Sequence, residues 1–189
     1  MKNNNKRLII GISGASGINY GIRVLEILQD LDVESHLVMS KAAVVTAACE
    51  TDKKISDITA LADVTHKVDD IGASIASGSY KTMGMLIVPC SVKTMSEINA
   101  GVTSSLLTRA ADVVLKERRK LVLMVREAPL HLGHLKTMTS LTEMGAIISP
   151  PVPALYCNPQ SIEEMIDQTL GRLLDLFDIE TENLKRWKS

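Results

Sequence analysis

The chain has 189 residues, of which 46% are hydrophobic and 23% are charged, so its composition is that of an ordinary globular protein and excludes disordered and collagen-like classes. Its 21 basic and 22 acidic residues give a formal net charge of -1, which lacks the basic excess typical of nucleic-acid-binding proteins. A single domain of this length buries roughly 70% of the surface that its unfolded chain exposes, so a full hydrophobic core is expected.

The first predicted elements are a strand, a glycine-rich loop and a helix. Residues 8–12 are apolar and end in the turn Gly-Ile-Ser-Gly-Ala-Ser-Gly at 11–17, after which Ile22, Leu25 and Leu28 recur at helical spacing. A turn between a strand and a helix can hold a phosphate on its backbone N–H groups and on the positive end of the helix dipole. The same turn without a ligand is the alternative that the residues leave open.

The spacing of the glycines bears on the kind of ligand. Dinucleotide-binding turns have the pattern Gly-x-Gly-x-x-Gly and an acidic residue after the second strand. Here the glycines lie at positions 11, 14 and 17, and no acidic residue follows the second strand, which is predicted over residues 33–39. The loop therefore favours a mononucleotide over a dinucleotide.

Helices and strands alternate along the rest of the chain. Ser40 is suited to cap a helix over residues 41–49, and apolar residues at helical spacing predict another helix between positions 103 and 119. Further strands are predicted over residues 85–89, 121–125 and 144–148.

The last predicted helix has the most regular pattern. It opens at Ser161, with Glu164 three residues on to complete a capping box, and its apolar residues keep a 3.6-residue period to Phe177. Strands that alternate with helices predict an α/β fold with a doubly wound, mostly parallel sheet, in one domain over residues 1–189. Sheets of this kind bind ligands outside the carboxyl ends of their strands.

The ends of the chain and its cysteines bear on location. Residues 1–7 are rich in Asn and Lys, which argues against a secretory signal and predicts a flexible N-terminus, and residues 178–189 are predicted to form a C-terminal tail. Cys49, Cys90 and Cys157 are odd in number and form no Cys-x-x-Cys motif, which indicates reduced thiols. No apolar run approaches the roughly 20 residues needed to span a bilayer. The sequence thus predicts a soluble, cytoplasmic protein that does not insert into membranes.

Polar residues follow two of the predicted inner strands. The strand over residues 85–89 is followed by Ser91, Val92, Lys93 and Thr94. Arg126 and Glu127 follow the strand over residues 121–125, and both sets are expected at the ligand-binding edge of the sheet. Cys90 has no His partner marked in the sequence, so we interpret it as a buried thiol and not as a nucleophile.

No pattern in the sequence predicts a metal site. His131 and His134 lie three residues apart, but no carboxylate completes a known motif. Asp69 and Asp70 lack the third acidic residue of a magnesium-diphosphate motif, and we interpret them as solvated loop charges. Lys116 belongs to a charged run that, from composition alone, is typical of a surface.

Eight motifs together resemble one family, the flavin prenyltransferases of the UbiX type, over nearly the whole chain. They are the residues at 11–17, Glu-Thr-Asp at 50–52, Ser-Gly-Ser at 77–79, Pro-Cys-Ser-Val-Lys-Thr at 89–94, the segment 109–119, Arg-Glu-Ala-Pro-Leu at 126–130, Pro-Ala-Leu-Tyr at 153–156 and the terminal Arg186-Trp187. Two departures are Leu155, where Phe is commoner in the family, and the lack of a longer aromatic-bearing segment before Ser-Gly-Ser.

The resemblance implies a three-layer, flavodoxin-like or Rossmann-like fold and a metal-independent prenyltransferase. Its substrates would be reduced FMN and dimethylallyl phosphate or diphosphate. The allylic carbon would be joined to flavin N5, and a second bond to C6 would close a fourth ring. The product, prenylated FMN, would serve a separate UbiD-type decarboxylase in ubiquinone synthesis or in the breakdown of aromatic acids. The family's habit also implies a homo-oligomer, a dodecamer.

The same resemblance implies roles for individual residues. The flavin would be held by Gly14, Ala15, Ser16, Ser40, Ser91, Val92, Lys93, Thr94 and Arg126. The prenyl phosphate would be held by Lys116, Arg126, Tyr156 and Arg172. Catalysis would rest on Ser16, Glu50, Lys116 and Glu127, of which Ser16, Glu50 and Glu127 would transfer protons. No residue would bind a metal.

Two other functions remain open on the residues alone. An FMN-dependent decarboxylase that resembled the known decarboxylases of this fold would need a catalytic His and a Pro-x-Met-Asn element; the sequence contains no such element, and no pattern in it marks a His as catalytic. A non-catalytic flavin-binding subunit of an aromatic-acid decarboxylase would have no use for a second phosphate site.

Overall fold

The computed structural model describes residues 6–181 and 184–187. Within these residues the strands are β1 (Arg7–Ile12), β2 (Glu34–Met39), β3 (Val64–His66), β4 (Gly84–Cys90), β5 (Lys120–Val125) and β6 (Ala146–Ile148). The helices are α1 (Ile18–Gln29), α2 (Lys41–Glu50), α3 (Ile55–Thr59), α4 (Val92–Asn99), α5 (Leu106–Lys116), α6 (Leu132–Glu143) and α7 (Ile162–Asp175). None of these helices is long and apolar enough to cross a membrane.

The strands form one sheet in the order β3-β2-β1-β4-β5-β6, and every adjacent pair is parallel. Without the short edge strand β3, the remaining five strands have the order of flavodoxin-like sheets. The chain reverses its direction of winding between β1 and β4. The predicted α/β fold with a doubly wound sheet is therefore confirmed, and the switch point where ligands bind in such sheets lies between β1 and β4.

Two hydrophobic cores cover the two faces of the sheet. Successive residues of β1 point to opposite faces, so Leu8 and Ile10 join the core beneath α1 and α7, whereas Ile9 joins the core beneath α4, α5 and α6. All seven residues of β4 are buried, as expected for a central strand covered on both sides. In this three-layer arrangement the carboxyl ends of β1 and β4 lie side by side at an end of the sheet that the helices leave accessible.

The N-terminal segment contributes its last residue to the sheet. Of residues 1–7, which were expected to be flexible, residues 1–5 lie outside the described residues. Arg7 begins β1, and its Nε donates to the carboxylate of Glu34 at 3.2 Å.

The C-terminal segment packs back onto α7. Of the predicted tail over residues 178–189, residues 182–183 and 188–189 lie outside the described residues. The buried Gln168 of α7 donates its amide N–H to the carbonyl of Lys185 at 2.8 Å and accepts the backbone N–H of Lys185 at 3.0 Å. Because one amide side chain satisfies both the backbone N–H and the backbone C=O of Lys185, this part of the tail is fixed on the domain.

Candidate active site

The loop after β1 lies against the start of α2. The backbone N–H of Ser40 donates to the carbonyl of Ile12 at 2.9 Å, and the Ser40 hydroxyl accepts from the backbone N–H of Ala43 as the N-cap of α2. At Gly14 a Cβ would lie only 2.4 Å from the Cβ of Ala42, so a larger residue would force the loop and the helix apart. Glycine at this position therefore permits the close approach of the loop to the helix.

Three helices begin around one cavity of about 220 Å³. Ser40 caps α2, Ser91 caps α4 and Ser105 caps α5, and each serine hydroxyl accepts from a backbone N–H of its own helix. Lys41 and Lys93 also line the cavity. Helix N-termini carry unpaired N–H groups and a partial positive charge, which favour an anion. The two lysines are paired with acidic residues of the same cavity, Lys41 with Asp69 at 3.3 Å and Lys93 with Glu97 at 3.0 Å. An anionic group such as a phosphate fits this set of N–H donors.

Glu50 caps the start of α1. Its carboxylate accepts the backbone N–H groups of Gly17 at 2.8 Å and of Ile18 at 3.0 Å. Burial alone would raise the pKa of Glu50, but hydrogen bonds from the Ser16 hydroxyl and from these two N–H groups outweigh burial. The positive charge of Arg126 acts in the same direction, so the pKa of Glu50 lies below its ordinary value and the carboxylate is ionised at neutral pH.

Arg126 and Glu127 follow β5 at the same edge of the sheet. The backbone N–H of Arg126 donates to the carbonyl of Cys90 at 3.1 Å, which places Arg126 beside the residues that begin α4. Glu127 is partly buried, and its carboxylate accepts the backbone N–H of Ala128 at 3.0 Å. The structure therefore brings Ser16, Glu50, Arg126 and Glu127 to one edge, together with the residues at 91–94.

Tyr156 and Arg172 belong to a second group, which the C-terminal segment holds together. The ring of Tyr156 lies edge-on to that of Trp187, with 5.2 Å between the centroids. Arg172 donates to Asp175 at 2.6 Å, and Arg186 donates to the same carboxylate at 2.7 Å. The hydrogen bonds of Arg186, and then the charges of both arginines, lower the pKa of Asp175 against the effect of its burial.

Lys116 lies at the opposite edge of the sheet. α5 begins near the cavity, where the N–H of Leu106 donates to the carbonyl of Val68 at 2.8 Å, and its 11 residues span about 16 Å towards the start of β5. Lys116 is the last of these residues and forms an ion pair with Glu117. A Cβ on Gly78 would lie 2.8 Å from Lys116 Nζ. Within one chain, Lys116 is thus separated from the loop after β1.

The remaining candidates have structural roles. Cys90 is fully buried, and burial raises the pKa of its thiol, which disfavours the thiolate that a nucleophile requires. His131 caps α6, since its Nδ1 accepts the backbone N–H groups of Gly133 and His134. Across residues 6–181 and 184–187, no group of three or more His, Cys, Asp or Glu side chains is arranged to hold a metal ion.

Two polar residues of this region were not predicted from the sequence. Ser105 caps α5 at the cavity, although the start of that helix was expected nearer position 103. Ser13 is completely buried beneath the loop and joins β1 to β4. The only sequence signals for them are a Ser followed three residues later by Thr108, and a Ser within the glycine-rich turn.

Comparison with known proteins identifies the family. A family model described as Flavoprotein matches residues 1–181. Flavin prenyltransferase UbiX of Escherichia coli strain K12 is 61% identical over 175 residues, which are 92% of this chain and 93% of that protein. Flavin prenyltransferase UbiX of Thauera aromatica is 54% identical over 181 residues, or 96% of this chain and 93% of that protein.

Solved structures agree with this assignment. The crystal structure of AnUbiX (PadA1) in complex with FMN and dimethylallyl pyrophosphate has a TM-score of 0.96 and 49% identity, and the match covers 98% of each chain. A dodecameric FMN-dependent UbiX-like decarboxylase from Escherichia coli O157:H7 has a TM-score of 0.94 and 44% identity over 97% of this chain and 100% of that one. The peptidyl-cysteine decarboxylase EpiD shares only the fold, with a TM-score of 0.60 and 17% identity over 79% of this chain and 88% of that one.

A doubly wound sheet with a cavity at its switch point, ringed by three helix N-termini, defines the class, and the chain belongs to the flavoprotein family. Within that family it is one of the flavin prenyltransferases of the UbiX type.

Proposed function

We propose that this chain transfers a dimethylallyl group from dimethylallyl phosphate to reduced FMN, with bonds to flavin N5 and C6, and so makes prenylated FMN for a UbiD-type decarboxylase. The observation that carries the proposal is the cavity at the switch point, where three capped helix N-termini meet at the edge of the sheet that also carries Ser16, Glu50 and Arg126. The neighbouring structure with FMN and dimethylallyl pyrophosphate supports the same pair of substrates.

Eight of the nine flavin-holding residues fall into two groups, and Arg126 is the ninth. Gly14, Ala15 and Ser16 provide the loop after β1, and Ser40, Ser91, Val92, Lys93 and Thr94 provide the starts of α2 and α4. Arg126 is hydrogen-bonded through its backbone to Cys90, next to Ser91, and its charge acts on the ionised Glu50. Reduced FMN supplies the nucleophilic N5 when it is bound. The protein then has to orient the donor, neutralise its phosphate and move protons.

Cationic side chains take the place of a metal at the donor. The bond from the allylic carbon to the phosphate oxygen breaks as the new bond to nitrogen forms, so negative charge accumulates on the departing phosphate. Lys116, Arg126 and Arg172 supply positive charge there, and Tyr156 supplies a hydroxyl donor. Arg is well suited to this task, because its planar guanidinium binds two phosphate oxygens at once.

Two acidic residues carry out the two proton transfers, one each. Glu50 is ionised and accepts the hydrogen bond of the Ser16 hydroxyl, so the pair is suited to receive a proton from the flavin. Glu127 lies at the same edge, near the phosphate-binding Arg126, where it can donate a proton to the departing phosphate. Both assignments follow from position and from the family's roles for these residues.

The proposed assembly is a homo-oligomer, a dodecamer, of single flavoprotein domains over residues 1–189 in the cytoplasm. One of the similar structures, at 44% identity, is described as dodecameric. Lys116 lies at the edge of the sheet opposite the cavity, away from the flavin site of its own chain. Each flavin site therefore receives its Lys116 from a neighbouring subunit.

The direct test is the mass of the flavin after reaction. The protein is incubated without oxygen with reduced FMN and dimethylallyl phosphate, in parallel with the diphosphate, and the flavin is released and weighed by mass spectrometry. A gain of one dimethylallyl unit, retained in the presence of EDTA, is the expected result. Unchanged flavin with both donors would favour a carrier, and loss of carbon dioxide from an added carboxylic acid would favour a decarboxylase.

A further inference from the structure

We propose that Ser13 is a positioning residue for flavin binding, and that its buried hydroxyl locks the loop after β1 to the start of α4. The proposal rests on the proposed function, because it concerns the same flavin site. Ser13 has 0% exposure, so it cannot contact the ligand through solvent-accessible surface in this conformation. Its effect on the ligand must pass through the residues that it holds.

Ser13 makes three hydrogen bonds to the end of β4. Its backbone N–H donates to the carbonyl of Pro89 at 3.1 Å, and its hydroxyl donates to the same carbonyl at 2.9 Å. The hydroxyl oxygen also accepts the backbone N–H of Ser91 at 2.7 Å. The side chain therefore satisfies one acceptor and one donor that flank Cys90.

These bonds lie where the regular pairing of the two strands has ended. The paired residues of β1 and β4 run from Leu8 opposite Gly84 to Gly11 opposite Ile87. Beyond this point β4 also shifts its register against β5. Ser13 thus joins the carboxyl ends of the two strands that form the switch point.

The link reaches the ligand site through Ser91. The Ser91 hydroxyl accepts the backbone N–H of Thr94 at 3.3 Å and donates to the Thr94 hydroxyl at 3.1 Å, so Ser91 sets the first turn of α4. Its backbone N–H is fixed by Ser13. The loop after β1 and the first turn of α4 are therefore held as one unit, which preorganises both sides of the cavity.

Ser13→Ala removes the hydroxyl and leaves the N–H of Ser91 without this acceptor. We expect the dissociation constant for FMN to rise about 10-fold, the scale of one lost hydrogen bond to a buried group. The KM for FMN should rise in step, whereas the KM for dimethylallyl phosphate should stay unchanged. Ser13→Cys keeps the size with a weaker hydrogen-bonding group, and it should give a smaller increase in the same direction.

Ser35 offers a matched control. It is also buried, with 1% exposure, and its hydroxyl donates to the Asp63 carboxylate at 2.9 Å and accepts the Asp63 backbone N–H at 3.0 Å. It is the second residue of β2, paired with Leu8, so it lies near the amino end of the sheet and away from the cavity. Ser35→Ala should lower the unfolding midpoint of the flavin-free protein as Ser13→Ala does, but leave FMN affinity unchanged.

FMN affinity is measured by calorimetry on the full chain, and stability by urea unfolding without flavin. Wild-type FMN affinity in both Ser13 variants would overturn the inference, and so would equal losses of affinity in Ser13→Ala and Ser35→Ala. Should Ser13→Ala fail to fold, the affinity of Ser13→Cys decides between these outcomes. A wild-type protein that binds no FMN would instead contradict the proposed function.

Discussion

Glu50 lies in the candidate site and also stabilises the start of α1. The pH dependence of the unfolding free energy measures the second contribution. Its pKa is lowered in the folded protein, so the ionised form stabilises the fold above the ordinary carboxyl pKa, and this contribution is lost as pH falls through the lowered value. We expect Glu50→Gln to reduce the unfolding free energy by about 1 kcal/mol at pH 7, the usual cost of a lost helix cap.

The difference between wild type and Glu50→Gln should begin to shrink as the pH falls below the ordinary carboxyl pKa of about 4.3, because the unfolded wild-type chain is protonated first, and it should vanish only below the lowered pKa of folded Glu50. Urea unfolding of both proteins at pH 7 and at pH 3.5 measures it. A difference that stays constant over this range would show that the charge of Glu50 does not contribute.

Glu127 is the residue whose chemistry is most open to a direct test. Glu127→Gln keeps the size of the side chain and an oxygen that can accept the Ala128 N–H, but it cannot exchange a proton. We therefore expect FMN affinity to be retained and single-turnover prenyl transfer to slow by about 100-fold or more, the scale of a lost general acid or base.

Glu143→Gln, at the exposed end of α6, is the matched control and should leave both quantities unchanged. Near-normal turnover in Glu127→Gln would remove Glu127 from the mechanism. Lost FMN affinity would make its role structural.

The position of the candidate residues that follow strands was predictable from the sequence. Gly14, Ser40 and Ser91 follow apolar runs, and the topology of a parallel sheet brings such positions to one edge. Ser13 and Ser105 were not predicted, because their importance lies in the partners that their hydroxyls meet, and these partners are distant in sequence or depend on where a helix begins. The roles of the residues came from the family resemblance and not from their spacing.

At the scale of elements, long buried segments were predictable and short or exposed ones were not. The strands around positions 8–12, 33–39, 85–89 and 121–125 and the helix α7 have strong apolar patterns, and all are present. The edge strand β3 has only three residues, none of them fully buried, so it carries no apolar run. The helix α6 buries only Leu141, which leaves too weak a periodicity for prediction.

A pair of histidines adds to the backbone pairing that holds the edge strand β3 to β2. His36 Nδ1 and His66 Nε2 lie 2.9 Å apart, and His36 Nε2 lies 2.7 Å from the Glu34 carboxylate. Burial and the neighbouring His36 lower the pKa of His66, against the opposing charge of Asp70. Tyr80 also reaches His36, at 3.2 Å. A neutral His66 is therefore part of the folded arrangement at this edge.

Because the folded-state pKa of His66 is lowered, its contribution to stability is complete above the ordinary His pKa of about 6.5 and is lost as pH falls through the lowered value. We expect the amide protons of β3 to lose protection against hydrogen exchange at pH 5.5 relative to pH 7.5, after correction for the intrinsic rate. Those of β4 should keep theirs. In His66→Gln the protection of β3 should no longer depend on pH, and a β3 that responds to pH equally in both proteins would refute this account.

At the scale of the whole molecule, exposed apolar side chains indicate further burial in an assembly. Leu132 is 66% exposed and Trp187 is 68% exposed, although both are large hydrophobic residues. We expect light scattering to give the mass of a homo-oligomer, up to twelve subunits in line with the dodecameric neighbour. A monomer at micromolar concentration would contradict this expectation.

The separation of Lys116 from Glu127 has a genetic consequence. If each active site takes Lys116 from one chain and Glu127 from another, Lys116→Ala and Glu127→Gln damage different chains of the same site. Oligomers that contain both variants then form some active sites with both wild-type residues. Random mixing in equal amounts restores both residues at about a quarter of the centres, so two inactive proteins together show about 25% of wild-type turnover. Arg126→Ala mixed with Glu127→Gln recovers nothing, because both defects lie on the same contributing face. If mixed oligomers of Lys116→Ala and Glu127→Gln stay inactive, Lys116 acts in the active site of its own chain.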